Sequence, residues 1–235
     1  MSTPSATPRS PRGEATKRAI LDAAMSLYAK RGYQGTGLIA IGESAGVTHA
    51  GVLYHYGSAR NLLAAVLDER DRRFWRDTAE GWVGKDGLVA LAQLPRVAEW
   101  NLANRELAKL YSVLQAENVD EEQEAHEYFV WRRRRVRGRI ERAIDAGKKR
   151  GEIRLDVDAR RKADEVVAFM DGAQLHALLD PEVDAIAIFE SYTEALVRSL
   201  AVEAASTGKP KPKSQAKKTP KVQGVARATR GRPKR

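Results

Sequence analysis

The sequence predicts an all-α protein in which a compact helix-turn-helix unit near the N-terminus precedes a larger helical domain, with about nine helices in total. Apolar residues recur at helical spacing from about residue 14 to residue 202. No stretch alternates between apolar and polar residues for long enough to indicate a sheet. A glycine-containing turn near residue 46 joins two short helices, which is the pattern of a helix-turn-helix.

Composition narrows the classes of protein that this chain can be. Its 235 residues, 43% of them hydrophobic, suffice to bury a sizeable core. The absence of cysteine excludes a disulfide framework, a cysteine nucleophile and cysteine-ligated zinc. No apolar run approaches the ~20 residues that span a bilayer. No apolar segment follows the N-terminus as in a secretory signal. We therefore expect a cytoplasmic protein with no membrane partner.

The positive charge is concentrated at one end of the chain. The net charge is +10, yet residues 204–235 hold 11 Lys and Arg with no acidic residue, while the rest holds 30 basic and 31 acidic residues. A near-neutral body with a cationic tail is typical of proteins with a polyanionic partner such as nucleic acid. We predict a flexible arm (1–13), a helix-turn-helix domain (14–57), a helical domain (58–202) and a disordered basic tail (203–235).

The first 60 residues carry start and stop signals for four helices. Gly32 follows an amphipathic helix as a C-terminal glycine does, and Gly46 permits the left-handed residue of a tight turn. Side-chain caps are expected at Thr36, Thr48 and Ser58, which begin helices that run to about Ala45, to about Tyr56 and into the next domain. Beyond them, helices are predicted over 86–102, 105–117, 123–149, 159–179 and 182–202.

The second short helix has the residues of a helix that reads the major groove. The small residues Ala50 and Gly51 allow close approach to base edges, and Thr48 and His49 offer hydrogen bonds to bases or phosphates. We expect Tyr54 and His55 to bind phosphates, which sets register rather than sequence. The alternative is a set of helices that only pack together.

The same segments resemble the N-terminal domain of TetR-family regulators of the TetR/AcrR type. The residues that carry the resemblance are 19–24, 27–33, Thr36, Ile41, 45–51, 54–58 and 61–63, in matching order and spacing. Residues 149–156, 170–172 and 178–181 resemble the part of the family's regulatory domain that leads into its last two helices. The resemblance spans roughly residues 14–202 and implies a sequence-specific transcriptional regulator, a repressor that a small molecule releases from DNA.

Two positions depart from the family pattern. Leu53 stands where members often have a tyrosine, and Ala59 where they often have a lysine, and both family residues commonly contact phosphate. These two contacts are therefore in doubt. We expect Arg60 to replace the lysine from the next position.

The resemblance also implies a homodimer and a ligand pocket. Helices 159–179 and 182–202 would form the four-helix bundle between subunits, on a palindromic double-stranded operator. The alternative is that their apolar stripes serve an ordinary core. Bulky residues of the middle helices are candidates for the pocket of an unknown inducer, although such stripes are more often core: Trp100, Leu110, Tyr111, Leu114, Tyr128, Trp131 and Phe169.

The remaining charged and titratable residues allow several interpretations. The arginine run 132–135 is flanked by acidic residues, which favours a solvated helix with ion pairs over a DNA contact. The four histidines form no metal-ligand pair and no nucleophile motif is present, so no cofactor, metal or catalytic residue is predicted.

The end of the basic tail resembles an AT-hook, a motif in which arginine enters the narrow minor groove of A·T-rich DNA. The matching residues are Arg230, Gly231, Arg232 and Pro233. Non-specific phosphate binding by the tail is the competing interpretation. Because of this tail, an architectural, nucleoid-associated DNA-binding protein stays as the alternative to a repressor, and activation rather than repression also stays open.

Overall fold

The computed structural model describes residues 11–202, and in that range the fold is entirely helical, as predicted. An isolated bridge between Ile153 and Ala201 is the one β-type pairing among these residues. Ten helices follow one another: α1 (Pro11–Arg31), α2 (Leu38–Ala45), α3 (His49–Tyr56), α4 (Ala59–Trp82), α5 (Gly87–Leu91), α6 (Pro95–Ala103), α7 (Arg105–Glu117), α8 (His126–Lys149), α9 (Ala159–Leu179) and α10 (Ala185–Leu200).

The caps around the turn follow the sequence at two of three positions. The side-chain oxygen of Thr48 accepts from the amide of Gly51 at 3.2 Å, and that of Ser58 accepts from Asn61 at 3.1 Å. The N-cap prediction for Thr36 is wrong, because Gly37 occupies that position and makes no side-chain cap. The Thr36 hydroxyl instead donates to the carbonyl of Gly32 at 2.7 Å, so it closes the end of α1 rather than opening α2.

Some predicted boundaries need correction. The helix expected over 86–102 is two helices, α5 and α6, because Pro95 has no amide to continue the ladder and the chain between them makes tighter turns. Helix α1 begins at Pro11, inside the arm predicted over 1–13. The tail residues proposed to bind DNA, Arg230 to Pro233, lie outside the described residues, as do residues 1–10.

Two apolar cores are built from these helices, and α4 contributes to both. The first core gathers residues of α1, α2 and α3, with Leu62 and Val66 from the start of α4 and Leu114 from α7. The second core lies among α4 to α6 and α8 to α10 and includes Phe74 and Trp82 from the later turns of α4. Helix α4 therefore links the helix-turn-helix to the interior of the helical domain.

None of the ten helices combines the length and apolar character needed to cross a membrane.

Candidate DNA-binding surface and ligand cavity

Helix α3 is held to the rest of the protein by one side and exposes the other. Only Val52 and Tyr56 of its eight residues are buried. The Tyr56 hydroxyl donates to the carbonyl of Lys17 in α1 at 2.8 Å, which fixes the end of α3. Thr48, His49 and Ala50 at its start are exposed, and Tyr54 is 84% exposed. An apolar core thus presents a short helix whose outer face is free to enter a groove.

The turn before α3 is tight because glycine allows the backbone to come close. Gly46 has a φ of 70°, in the left-handed region, and the amide of Val47 donates to the carbonyl of Gly42 at 2.9 Å. A Cβ at Gly42 would lie 2.8 Å from the carbonyl oxygen of Val47. The angle between α2 and α3 therefore depends on the absence of a side chain at this position.

The structure distributes the predicted DNA-contacting residues unevenly. Arg60 is exposed in the first turn of α4, which is separated from α3 by two residues. His55 and Gly51 are half-buried. Thr36 is only 8% exposed, so it offers little surface to a partner. The apolar side chain of Ile39 on α2 is 64% exposed, and sequence reasoning did not single it out as a candidate.

A partly enclosed cavity lies within the helical domain. A water-sized sphere can occupy about 60 Å³ of it, and the empty space around that volume, including the open mouth, is about 740 Å³. Helices α4, α6, α7, α8 and α9 and the segment before α6 supply its walls. Much of its lining is apolar: Phe74, Trp75, Trp82, Val136, Ile140 and Met170. Its charged lining consists of Arg70, Arg132, Arg133, Arg139 and Asp171.

The bulky residues predicted to line a pocket are mostly placed elsewhere. Tyr111 lines the cavity, but Trp131 is half-exposed, and Phe169 stacks on Tyr192 with ring centroids 3.6 Å apart. The others belong to the packed interior: Trp100 donates through Nε1 to Asp77 at 3.1 Å, Leu110 and Leu114 lie in the first core, and the Tyr128 hydroxyl donates to the carbonyl of Leu67 at 3.3 Å.

The solvated-helix interpretation of the arginine run is wrong at its first residue. Arg132 is buried; its Nε donates to Oδ1 of Asp71 at 2.8 Å, and its Nη1 donates to the Tyr111 hydroxyl at 3.0 Å. Arg70 is also buried and donates to the same Asp71 oxygen at 3.1 Å. One carboxylate therefore serves two guanidinium groups.

Sequence reasoning missed this cluster, although a signal existed. Arg70 falls between Val66 and Phe74 on the buried stripe of α4, where an apolar residue is expected. Arg132 falls in the same way between Phe129 and Val136 on α8. A charged residue on an apolar stripe indicates a buried partner.

The pKa values of Arg70, Asp71 and Asp171 are shifted by burial and by the charges of neighbouring groups. Burial, with the neighbouring charge of Arg132, lowers the pKa of Arg70 to about 10. The pKa of Asp71 is lowered although its burial acts in the opposite direction, because Arg132 and Arg70 stabilise the carboxylate. The pKa of Asp171 is raised, because its burial outweighs the ion pair with Arg133, whose N–O distance is 2.6 Å.

Helices α9 and α10 keep apolar surface that the rest of the described chain does not cover. Leu175 is 50% exposed and Leu179 is 75% exposed. Ala187 and Ala195 of α10 are exposed beside the half-buried Tyr192, along an open groove that Phe169 of α9 helps to line. These are the two helices for which the sequence predicts a subunit interface.

A capped helix exposed after a glycine turn, carried on a helical body, defines this chain as a helix-turn-helix DNA-binding protein. The profile of bacterial regulatory proteins of the tetR family matches residues 20–66, and that of the BetI-type transcriptional repressor C-terminal domain matches residues 90–198. The chain therefore belongs to the TetR family. It is a DNA-binding transcriptional regulator and not an enzyme.

Individual relatives are distant. The HTH-type transcriptional repressor AcnR of Corynebacterium glutamicum is 24% identical over 149 residues, which are 60% of this chain and 73% of that protein. The structure of the SmeT–triclosan complex aligns with a TM-score of 0.69 at 21% identity, covering 84% of this chain and 99% of that one. A transcriptional regulator from Saccharomonospora viridis in complex with choline aligns with a TM-score of 0.66 at 23% identity, covering 81% and 100%. These structures share the fold.

Proposed function

We propose that this protein is a homodimeric repressor that reads a palindromic operator with α3 and leaves it when a small molecule fills the cavity of the helical domain. The observation that supports this most is the path of α4. Its first turn, capped by Ser58, directly follows α3, and its later turns supply Arg70, Phe74 and Trp75 to the cavity wall. One continuous helix thus contacts both sites.

Release needs a difference in ligand affinity between two arrangements of the subunits. A ligand lowers operator affinity only by the factor by which it prefers the arrangement that does not fit the operator. A shift of the α4 segment beside the cavity would be transmitted along the helix to α3. In a dimer the two α3 helices would then change their separation, which must match half-sites one helical turn apart.

The subunit interface is proposed at α9 and α10, the predicted helices 159–179 and 182–202. A single recognition helix reads only a few base pairs, so a dimer supplies the specificity that one copy lacks. The exposed leucines of α9 and the open groove of α10 are apolar surface that a second copy would cover.

Base contacts are proposed for Thr48, His49, Ala50 and Gly51, with Tyr54, His55 and Arg60 on the phosphates. The support is exposure at the start of α3, at Tyr54 and at the start of α4, with Gly51 and His55 half-buried beside them. Thr36 stays a weaker candidate, because its hydroxyl already donates to Gly32. We place this activity in the cytoplasm at the nucleoid, where the operator would be.

The related proteins support repression rather than activation, and they support dependence on a small-molecule ligand. AcnR is named as a repressor, and the SmeT and Saccharomonospora viridis structures hold triclosan and choline respectively. For this chain, repression and release by a ligand are inferences from the family and from the cavity.

Selection of bound sites from random DNA, followed by footprinting of the enriched sequence, tests the proposal. We expect a palindrome protected over two half-sites, with protection lost in the double variant His49→Ala and Tyr54→Ala but kept in Glu121→Ala, an exposed position outside the helix-turn-helix. Protection without sequence preference would contradict the repressor and support the architectural alternative.

A chain truncated at Thr207 tests whether the basic tail binds DNA. Unchanged affinity, salt dependence and A·T preference would exclude the tail as a DNA-binding element.

A further inference from the structure

The arginines that line the cavity outnumber the carboxylates that pair with them; Arg70 and Arg132 are buried, whereas Arg133 and Arg139 are partly exposed. Arg133 is paired with Asp171, but Arg70 and Arg132 share the single carboxylate of Asp71. Arg139 also lines the cavity and has no ion pair among residues 11–202. Two positive charges are therefore left in excess. One belongs to the buried pair Arg70 and Arg132, where an uncompensated charge is costly, and the other to the half-buried Arg139, which solvent partly screens.

Several of the polar groups that line the cavity are hydrogen-bond donors without an acceptor. Within the described part of the chain, three enclosed donors have no hydrogen-bond partner: Nε of Arg70 and Nε1 of both Trp75 and Trp82. Two enclosed acceptors of the lining also have none, Oδ1 of Asn101 and Oδ2 of Asp171, and the second of these lies in the ion pair with Arg133. An enclosed donor without an acceptor is costly, and here the unpartnered donors outnumber the unpartnered acceptors, which favours a ligand that supplies an acceptor.

The aromatic rings near the cavity are already occupied by protein cations. The guanidinium carbon of Arg70 lies 4.5 Å from the ring centroid of Tyr111. That of Arg139 lies 5.2 Å from the ring of Trp75 and 5.4 Å from the ring of Trp82. A cationic ligand would have to displace these arginines or accept their repulsion, whereas an anion would be attracted to them.

We propose that this cavity binds an organic monoanion, a carboxylate on an apolar aryl or alkyl body, with the carboxylate accepting from Nε of Arg70 and the body against the apolar wall. This inference rests on the proposed function, because it names the chemical class of the releasing ligand. It excludes quaternary ammonium compounds such as the choline held by the Saccharomonospora viridis regulator. Burial and neighbouring arginines lower the pKa values of Arg70 and Arg139, which agrees with one cation that shares its counter-ion and one that has none.

Calorimetry on the full-length protein without DNA tests the charge requirement first. The probes are 2-naphthoate and decanoate, each with its uncharged primary amide, together with 2-naphthylmethylammonium and choline. We expect at least one carboxylate to bind at least tenfold more tightly than its amide, and neither cation to bind measurably. Binding of the amide as tight as that of the acid, tighter binding of a cation, or no binding of either carboxylate would overturn the proposal.

Two variants then locate the charge. Arg70→Gln and Arg139→Gln should each weaken carboxylate binding at least fivefold, with the larger effect at Arg70, while Arg134→Gln, an exposed position on α8 outside the cavity lining, should leave it unchanged. Equal binding by the two cavity variants and the control would overturn the site. If Arg70→Gln fails to fold, the probe series on the wild type still tests the charge requirement, and Arg139→Gln still tests the location of the site.

Different outcomes test the repressor function and the ligand class. The palindromic footprint on the operator is measured without any of the small-molecule probes. A protein that shows this footprint but binds no carboxylate keeps the repressor assignment and loses the ligand class. A protein that binds the carboxylate but protects no palindrome keeps the site and loses the repressor assignment.

Discussion

The backbone amide of Tyr33 donates a 2.7 Å hydrogen bond to Oε2 of Glu117, which joins the end of the first helix to the end of α7. The close approach requires Gly32, because a Cβ there would lie 1.9 Å from Oε1 of the same carboxylate. The Tyr33 hydroxyl adds a bond to Glu124 at 2.8 Å, and burial together with this bond raises the pKa of Tyr33 to about 12. The helix-turn-helix is therefore tied to the helical domain at a second point besides α4.

Replacing Glu117 with alanine should destabilise the protein by about 1–3 kcal/mol, because the amide of Tyr33 is partly buried and would lose a charged acceptor. Urea unfolding followed by circular dichroism measures this. Glu121→Ala, at an exposed position in the loop after α7, should stay within about 0.5 kcal/mol of the wild type. Equal stability of the two variants would show that the Tyr33–Glu117 bond contributes nothing.

Arg60 is expected to contact a phosphate, in place of the lysine that the family often has one residue earlier. Arg60→Ala should weaken operator binding and reduce the slope of log affinity against log salt by about 0.9 per half-site. Titrations of labelled operator at several salt concentrations give both values. Arg96→Ala, an exposed arginine on α6, is the matched control and should change neither. An unchanged slope in Arg60→Ala would remove Arg60 from the interface.

The sequence predicted the helix-turn-helix well because its signals are local. A capping hydroxyl at Thr48 and a left-handed glycine at position 46 act within a few residues, and the structure places both as expected. The N-cap prediction for Thr36 was wrong because its hydroxyl could bond either to an amide at the start of α2 or to the carbonyl of Gly32 at the end of α1. The structure has the second bond. The helical periodicity likewise predicted α7 and α9 to the residue.

The cavity was not predictable in the same way, because its residues come together only through tertiary packing. Asp71 and Arg132 are 61 residues apart in sequence, and no local rule relates them. Large aromatic residues fill cores and cavities alike, so residue type alone placed Trp100 and Tyr128 in a pocket that they do not line. The informative signal was an arginine on an apolar stripe, at positions 70 and 132.

Asp71 is expected to stabilise the folded state strongly, because it is the shared counter-ion of two buried arginines. Asp71→Asn should cost about 3–5 kcal/mol at pH 7, since it leaves both guanidinium groups without a carboxylate. Glu165→Gln removes an exposed acceptor of Lys162 and Arg161 and should cost less than about 1 kcal/mol. Chemical unfolding of the two variants at pH 7 compares these costs.

The same aspartate predicts a pH dependence with a defined sign. Its pKa is lowered in the folded state, so its contribution is complete above the unfolded pKa of about 3.9 and is lost as the pH falls through the lower folded value. The difference in stability between the wild type and Asp71→Asn should therefore shrink as the pH is lowered below about 4. A difference that stays constant from pH 7 to pH 3 would contradict this account.

Ala195 lies exposed on the groove of α10, in the surface proposed to pair with a second copy. Ala195→Arg would place a charge in an apolar interface and should convert the protein to a monomer at micromolar concentration, as measured by sedimentation velocity. Operator affinity should fall at least tenfold, because one recognition helix would then bind alone. Ala116→Arg, on the exposed side of α7, should leave both properties unchanged. A dimer that persists in Ala195→Arg would move the interface away from this groove.

Gly42 and Gly46 should respond differently to alanine, although both belong to the same turn. At Gly46 a Cβ meets nothing within 4 Å, so the cost is the left-handed backbone alone, about 1–2 kcal/mol. At Gly42 the new Cβ would lie 2.8 Å from the carbonyl oxygen of Val47, and backbone must move to relieve it. Gly42→Ala should therefore weaken operator binding more than Gly46→Ala, because it changes the angle between α2 and α3. Gly37→Ala, with open space around the new Cβ, is the control for both. Operator affinity and thermal unfolding are measured for all three variants. If Gly46→Ala weakens operator binding as much as Gly42→Ala does, the close approach of α2 to the turn does not set the angle between α2 and α3.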